Sequence, residues 1–122
     1  MSIGVMIVDD LSFVKLVLKD IVEKAGFSVV ALASDGVEAL ELFREHRPQV
    51  VLLDITMPRM DGITALRQMR KIDPAASVIM CSALGQQRLI VQAIGLGARD
   101  FIVKPFRPER VVGAIKKALD IE

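Results

Sequence analysis

Short apolar runs alternate along this chain with longer segments in which apolar residues recur every three or four positions. The runs lie at 3–8, 28–33, 50–53, 77–81 and 100–103. Each is mainly apolar and too short for a stable helix, the pattern of a strand covered on both faces. In the first intervening segment Val14, Val17, Leu18, Ile21, Val22 and Ala25 form one helical face, and Gly26 follows as a stop. Asp35-Gly36-Val37-Glu38 is a variant of the capping box and starts the second helix. Asp61-Gly62 opens the third, with Ile63, Leu66 and Met69 inward. Gly85 leads into the fourth, where Leu89, Ile90, Ala93 and Ile94 share a face before Gly97. Pro108 sits in the first turn of the fifth, whose inner stripe is Val111, Val112, Ile115, Ala118 and Leu119. Five strand–helix units predict an α/β fold, a five-stranded parallel sheet doubly wound by five helices. The chain is too short for a barrel of eight such units. No linker, low-complexity stretch or close internal repeat divides it, so one domain is expected over 1–122.

Composition narrows the partners. The 122 residues are 52% hydrophobic but only 4% aromatic, so the core is built from Val, Ile, Leu, Ala and Met. A net charge of +1 argues against a general nucleic-acid binder. The charge is uneven: residues 1–61 carry six Lys/Arg against ten Asp/Glu, and residues 62–122 carry ten against five. This predicts an acidic site on one side and a basic face on the other. The basic residues Arg88, Arg99, Arg107, Arg110, Lys116 and Lys117 fit two readings, a solvated surface or a partner face. A single cysteine allows no internal disulfide, and Cys81 lies inside an apolar run as an inert thiol. No signal peptide and no apolar stretch of membrane-spanning length is present, so a cytoplasmic monomer away from membranes is expected.

The chemistry sits at the strand ends. Asp9 and Asp10 close the first run, Asp54 closes the third, and Lys104 follows the fifth, with Pro105 after it. Parallel strands put their carboxyl ends on one edge, where open α/β sheets bind ligands. Three carboxylates crowded there repel one another unless a cation joins them. A hard divalent ion with oxygen ligands, Mg²⁺, is the natural guest. Each residue also has a plainer role: Asp54 as a turn residue, Asp10 as a cap for a helix near Ser12, Lys104 as a solvated lysine. A cap needs only one acid, so the Asp9-Asp10 pair favours metal. His46 falls near a helix end, where the dipole favours a cation, and is not read as catalytic.

Four motifs together are familiar. Asp9-Asp10, then Leu53-Asp54-Ile55-Thr56-Met57-Pro58-Arg59-Met60-Asp61-Gly62, then Cys81-Ser82-Ala83, then Lys104-Pro105-Phe106 resemble the receiver domain of two-component response regulators. The resemblance covers the whole chain, and a single receiver domain with no output domain is expected. Within the family, Ser82-Ala83-Leu84-Gly85-Gln86-Gln87 is similar to the stand-alone chemotaxis members. It implies a flavodoxin-like fold and a signalling phosphoacceptor rather than an enzyme. Asp54 is then the phosphorylation site, charged by a histidine kinase. Asp9, Asp10, Asp54 and the backbone carbonyl of Thr56 are the implied Mg²⁺ ligands, Asp10 directly and Asp9 through water. Lys104 and Ser82 are implied to contact the phosphoryl oxygens, with the Lys104–Pro105 peptide bond cis. Ser82 and Phe101 form the implied switch, on the face of the fourth helix, fifth strand and fifth helix. The implied partner is a flagellar motor switch protein, with a phosphatase also possible. Thr56 and Leu84 flank the site, Leu84 able only to exclude water and Thr56 a poor orienter of it.

Three other readings compete. A single-domain phosphorelay intermediate would pass the phosphoryl group from Asp54 to a histidine on another protein. An FMN carrier of the same topology would need an uncharged phosphate loop where Asp9-Asp10 stands, and the Trp or Tyr often stacked on flavin is missing. An aspartyl phosphohydrolase usually needs a general-acid aspartate where Thr56 stands.

Overall fold

A computed structural model describes residues 3–121, so residues 1, 2 and 122 of the predicted domain lie outside it. Strands and helices alternate as β1 (Gly4–Val8), α1 (Ser12–Lys24), β2 (Ser28–Ala33), α2 (Gly36–His46), β3 (Val50–Asp54), α3 (Gly62–Ile72), β4 (Ser77–Ser82), α4 (Gln87–Gly95), β5 (Asp100–Val103) and α5 (Pro108–Ala118). The sheet order is β2-β1-β3-β4-β5 and every pairing is parallel. The order reverses beside β1, so β1 and β3 diverge in their connections and leave a crevice at their carboxyl ends.

Alternation along the strands builds two cores. Met6, Val8, Val51, Leu53, Val78 and Met80 pack with Phe43 of α2, Leu66 and Met69 of α3, and Ala93 of α4. Val5, Ile7, Val50, Leu52, Ile79 and Ile102 pack with Leu18 and Val22 of α1 and Val111 and Ile115 of α5. A strand covered on both faces has no polar side, which is why the runs read as unbroken.

Helix starts follow their local chemistry. The Asp35 side chain accepts from Glu38 N at 2.9 Å, and Asp61 accepts from Thr64 N at 2.8 Å. Leu11 precedes α1 and no side chain caps that helix, so Asp10 does not act as its cap. α4 departs from its predicted inner face: Ile94 is 44% exposed and Val91 72%. Only Ala93 of this nine-residue helix is fully buried. The helix meets β4 and α3 through Leu89, Ile90 and Ala93 only, so a narrow stripe touches the core and Val91 and Ile94 beside it face outward.

Gly62 is required by contact. Its N–H donates to the Ile55 carbonyl at 2.7 Å. A Cβ there would lie 2.1 Å from the Asp54 carbonyl oxygen. Gly62→Ala is expected to lower stability by about 1–3 kcal/mol or more, the scale of overpacking. A denaturant midpoint unchanged from the native protein would contradict this close approach.

Candidate functional site

Strand parity brings the chemistry together. Ile7, Leu52 and Ile102 face α1 and α5. Asp9, Asp54 and Lys104 each lie two residues further along the same strands and so continue that row. Lys104 Nζ lies 3.0 Å from Asp9 Oδ2 and 3.4 Å from Asp54 Oδ1. Asp10 completes the group: one oxygen from each of Asp9, Asp10 and Asp54 falls within 4.8 Å of the others. Asp9 is 1% exposed and Asp54 5%, whereas Asp10 faces solvent. The Lys104–Pro105 peptide bond is cis, and Lys104 N donates to the Ser82 carbonyl at 2.8 Å.

The electrostatics are those of an undercompensated acidic site. Burial, then the charge of Asp9, push Asp54 from an ordinary 3.8 up to about 6, against the pull of Lys104. Burial disfavours the Lys104 ammonium, but its bond to Asp9 and the charge of Asp54 outweigh this and hold it above the usual lysine range. Asp9 Oδ2 is buried and receives no aligned hydrogen bond, although the ammonium stands close to it. Oxygen donors alone, more carboxylates than cations, and one orphaned buried oxygen together fit a hard divalent ion.

Ser82 and Phe101 belong to the other row. Ser82 follows Val78 and Met80, and its buried hydroxyl donates to the Ile102 carbonyl at 3.5 Å. Phe101 is half-buried and borders a hollow of about 320 Å³ lined by Ala83, Leu84, Gln86, Ile90 and Val91. Thr56 is exposed, and its Oγ1 accepts from Gln86 Nε2 at 3.0 Å. Leu84 is 84% exposed and does not roof the site. Cys81 pairs with Asp54 in the sheet and is buried, which drives its thiol pKa far up, the Asp54 charge adding to this.

Three features were missed in the sequence. Gln86 falls within the Ser82–Gln87 motif, but nothing in the sequence announces its bond to Thr56, thirty residues back. Arg110 belongs to the predicted basic face, yet it donates to both Asp100 oxygens at 3.2 and 3.3 Å and to the Phe101 carbonyl at 2.5 Å. Its charge is paired with Asp100 at the surface, and no local pattern announces a partner ten residues back. Leu11, Phe13 and Leu16 leave an exposed apolar face on α1, with Phe13 76% exposed. Phe13, Val14 and Val17 line a hollow with Lys104, Pro105 and Phe106.

Comparison with known proteins agrees with this geometry. A family model described as the response regulator receiver domain matches residues 5–116. The chain belongs to that family, and is a receiver domain of a two-component system. It is 52% identical to the chemotaxis protein CheY of Bacillus subtilis over 120 residues, covering 98% of this chain and 100% of that one. It is 53% identical to CheY of Thermotoga maritima over 113 residues, covering 93% and 94%. Among solved structures, a chain of the CheX–CheY–BeF3–Mg complex from Borrelia burgdorferi superposes with a TM-score of 0.92 at 39% identity, covering 96% of this chain and 89% of that one. No described helix is long and apolar enough to cross a membrane.

The raised Asp54 pKa has a signed consequence. An acid whose pKa rises on folding binds its proton more tightly in the folded state. Its favourable contribution is complete below the unfolded value of 3.8 and is lost as pH climbs through about 6. In chelator, the melting temperature of the native protein is expected to fall relative to Asp54→Asn across about pH 4 to 7. Mg²⁺ should narrow the gap at the upper end. A gap independent of pH would contradict this.

Proposed function

We propose that the chain is a stand-alone, cytoplasmic phosphoacceptor that receives a phosphoryl group on Asp54 from a histidine kinase and switches a partner-binding face in chemotaxis. The observation that supports it is the junction of Asp9, Asp10, Asp54 and Lys104 at one sheet edge. The chemotaxis role rests on similarity to the CheY proteins of Bacillus subtilis and Thermotoga maritima.

In this reading an Asp54 oxygen attacks the phosphorus of a phosphohistidine. The P–N bond breaks, its electron pair returns to the imidazole, and an acyl phosphate forms. Asp9, Asp10, Asp54 and the Thr56 carbonyl hold Mg²⁺, which when bound neutralises charge on the phosphoryl oxygens. Lys104 already stands beside Asp54 and moves to a phosphoryl oxygen as the carboxylate charge is replaced. Ser82 trades the Ile102 carbonyl for the phosphoryl group, which draws in the loop after β4. Phe101 turns into the neighbouring hollow. The exposed apolar face of α1, beside Lys104 and Pro105, suits an amphipathic helix of the phosphodonor. The same feature also suits a phosphorelay, and transfer from Asp54 to a downstream histidine protein would separate the two. An auxiliary phosphatase fits the same acyl phosphate.

The switched face carries exposed Leu84, Val91 and Ile94 with the exposed bases Arg88, Arg99 and Lys117. It suits an amphipathic acidic segment such as a flagellar motor switch peptide. Arg110 is no probe of that face, because removing it breaks the Asp100 and Phe101 contacts.

Incubation with Mg²⁺ and a small phosphodonor is expected to label Asp54, with labelling abolished in Asp54→Asn or by chelation. Label that persists at another residue of Asp54→Asn would overturn the assignment. Lys104→Ala should still accept label, more slowly, yet lose the affinity gained on phosphorylation. Undiminished phosphorylation-dependent binding in that variant contradicts the switching role.

For the partner face, Val91→Glu should weaken switch-peptide binding about tenfold or more. Lys117→Glu should weaken it about two- to fivefold, and less at high salt. Neither should alter labelling. Unchanged affinity in both would leave this face a solvated surface.

A further inference from the structure

Gln86 precedes α4 but does not cap it. Its side chain turns back instead and spans the two loops that border Asp54. Gln86 Oε1 accepts from Ala83 N at 2.7 Å, in the loop after β4. Gln86 Nε2 donates to Thr56 Oγ1 at 3.0 Å, in the loop after β3. The amide orientation follows from chemistry: a backbone N–H only donates, so the amide oxygen must face Ala83 and the NH₂ must face Thr56. Thr56 lies two residues beyond Asp54 and Ala83 directly follows Ser82, so the bridge ties together the two loops that follow the site's strands. Leu84 stands in solvent and cannot serve as that cover.

A threonine hydroxyl has one proton and two lone pairs. With one lone pair engaged by Gln86, Thr56 is a poorer acceptor for a water approaching Asp54, and its rotation is restrained. We propose that Gln86 is a positioning residue for the lifetime of the acyl phosphate: acting through Thr56, it closes the approach of the hydrolytic water. The inference rests on the phosphoacceptor reading of Asp54. In the step it controls, a water oxygen attacks phosphorus and the bond from phosphorus to the Asp54 oxygen breaks. Its electron pair restores the carboxylate, and the water's protons leave with inorganic phosphate and bulk solvent.

The test measures label decay after removal of a small phosphodonor, in Mg²⁺, for the native protein, Gln86→Ala, Thr56→Ala and the double variant. Gln86→Ala should lose label about three- to tenfold faster, the scale of one neutral hydrogen bond. The same substitution placed on Thr56→Ala should add less than about twofold, since the partner is already gone. Gln86→Ala also removes the Ala83 contact, so a purely structural effect would accelerate decay equally in both backgrounds. That equality overturns the proposal, as does a native decay rate in Gln86→Ala. A native protein that takes no label overturns the phosphoacceptor reading itself, whereas normal labelling with unchanged decay removes only the role of Gln86.

Discussion

One repulsion organises this molecule: three carboxylates held at the end of a buried sheet with one ammonium among them. Folding places them there because the rows that make the core facing α1 and α5 run on into Asp9, Asp54 and Lys104. The apolar rows beneath cannot be rearranged to relieve the repulsion without breaking the core. The fold therefore holds a deficit of positive charge at a fixed place. In the function proposed, metal binding answers that deficit, and phosphoryl acceptance, which adds negative charge at the same place, depends on it.

The two faces of the sheet divide the labour. Asp9, Asp54 and Lys104 continue one row, while Ser82 and Phe101 continue the other, against α4. Ser82 is next to Cys81, which pairs with Asp54, and its carbonyl accepts from Lys104 N. A shift at the carboxylates thus has a short covalent and hydrogen-bonded route to the α4 face. That face is the least anchored part of the fold, with a single fully buried residue in α4. An element held so lightly can be displaced by a small change in charge.

Element order, the two cores and the acidic junction were legible in the sequence because each depends on period. Unbroken apolar runs imply two covered faces, and a run ending in Asp or Lys fixes what stands at the edge. The caps at Asp35 and Asp61 were legible for the same local reason. What period cannot convey is where a helix stops meeting the core. Ile94 follows Ile90 at helical spacing, yet it is 44% exposed. Nor does it convey long-range pairing by flexible side chains. Arg110 with Asp100, and Gln86 with Thr56, join segments whose separation in sequence carries no signal. The basic face was legible as charge, but its division into committed and free residues was not.

Cys81 acquires a meaning from its place under Asp54. A thiolate beside a mixed anhydride is a competing nucleophile, able to take over the acyl group and leave a thioester. Burial together with the negative neighbour keeps this sulfur protonated at any physiological pH. A residue that elsewhere advertises reactivity is here silenced first by burial, with the Asp54 charge adding to it. The same insulation keeps the thiol beside Asp54 from oxidants as well as from the proton loss that would arm it.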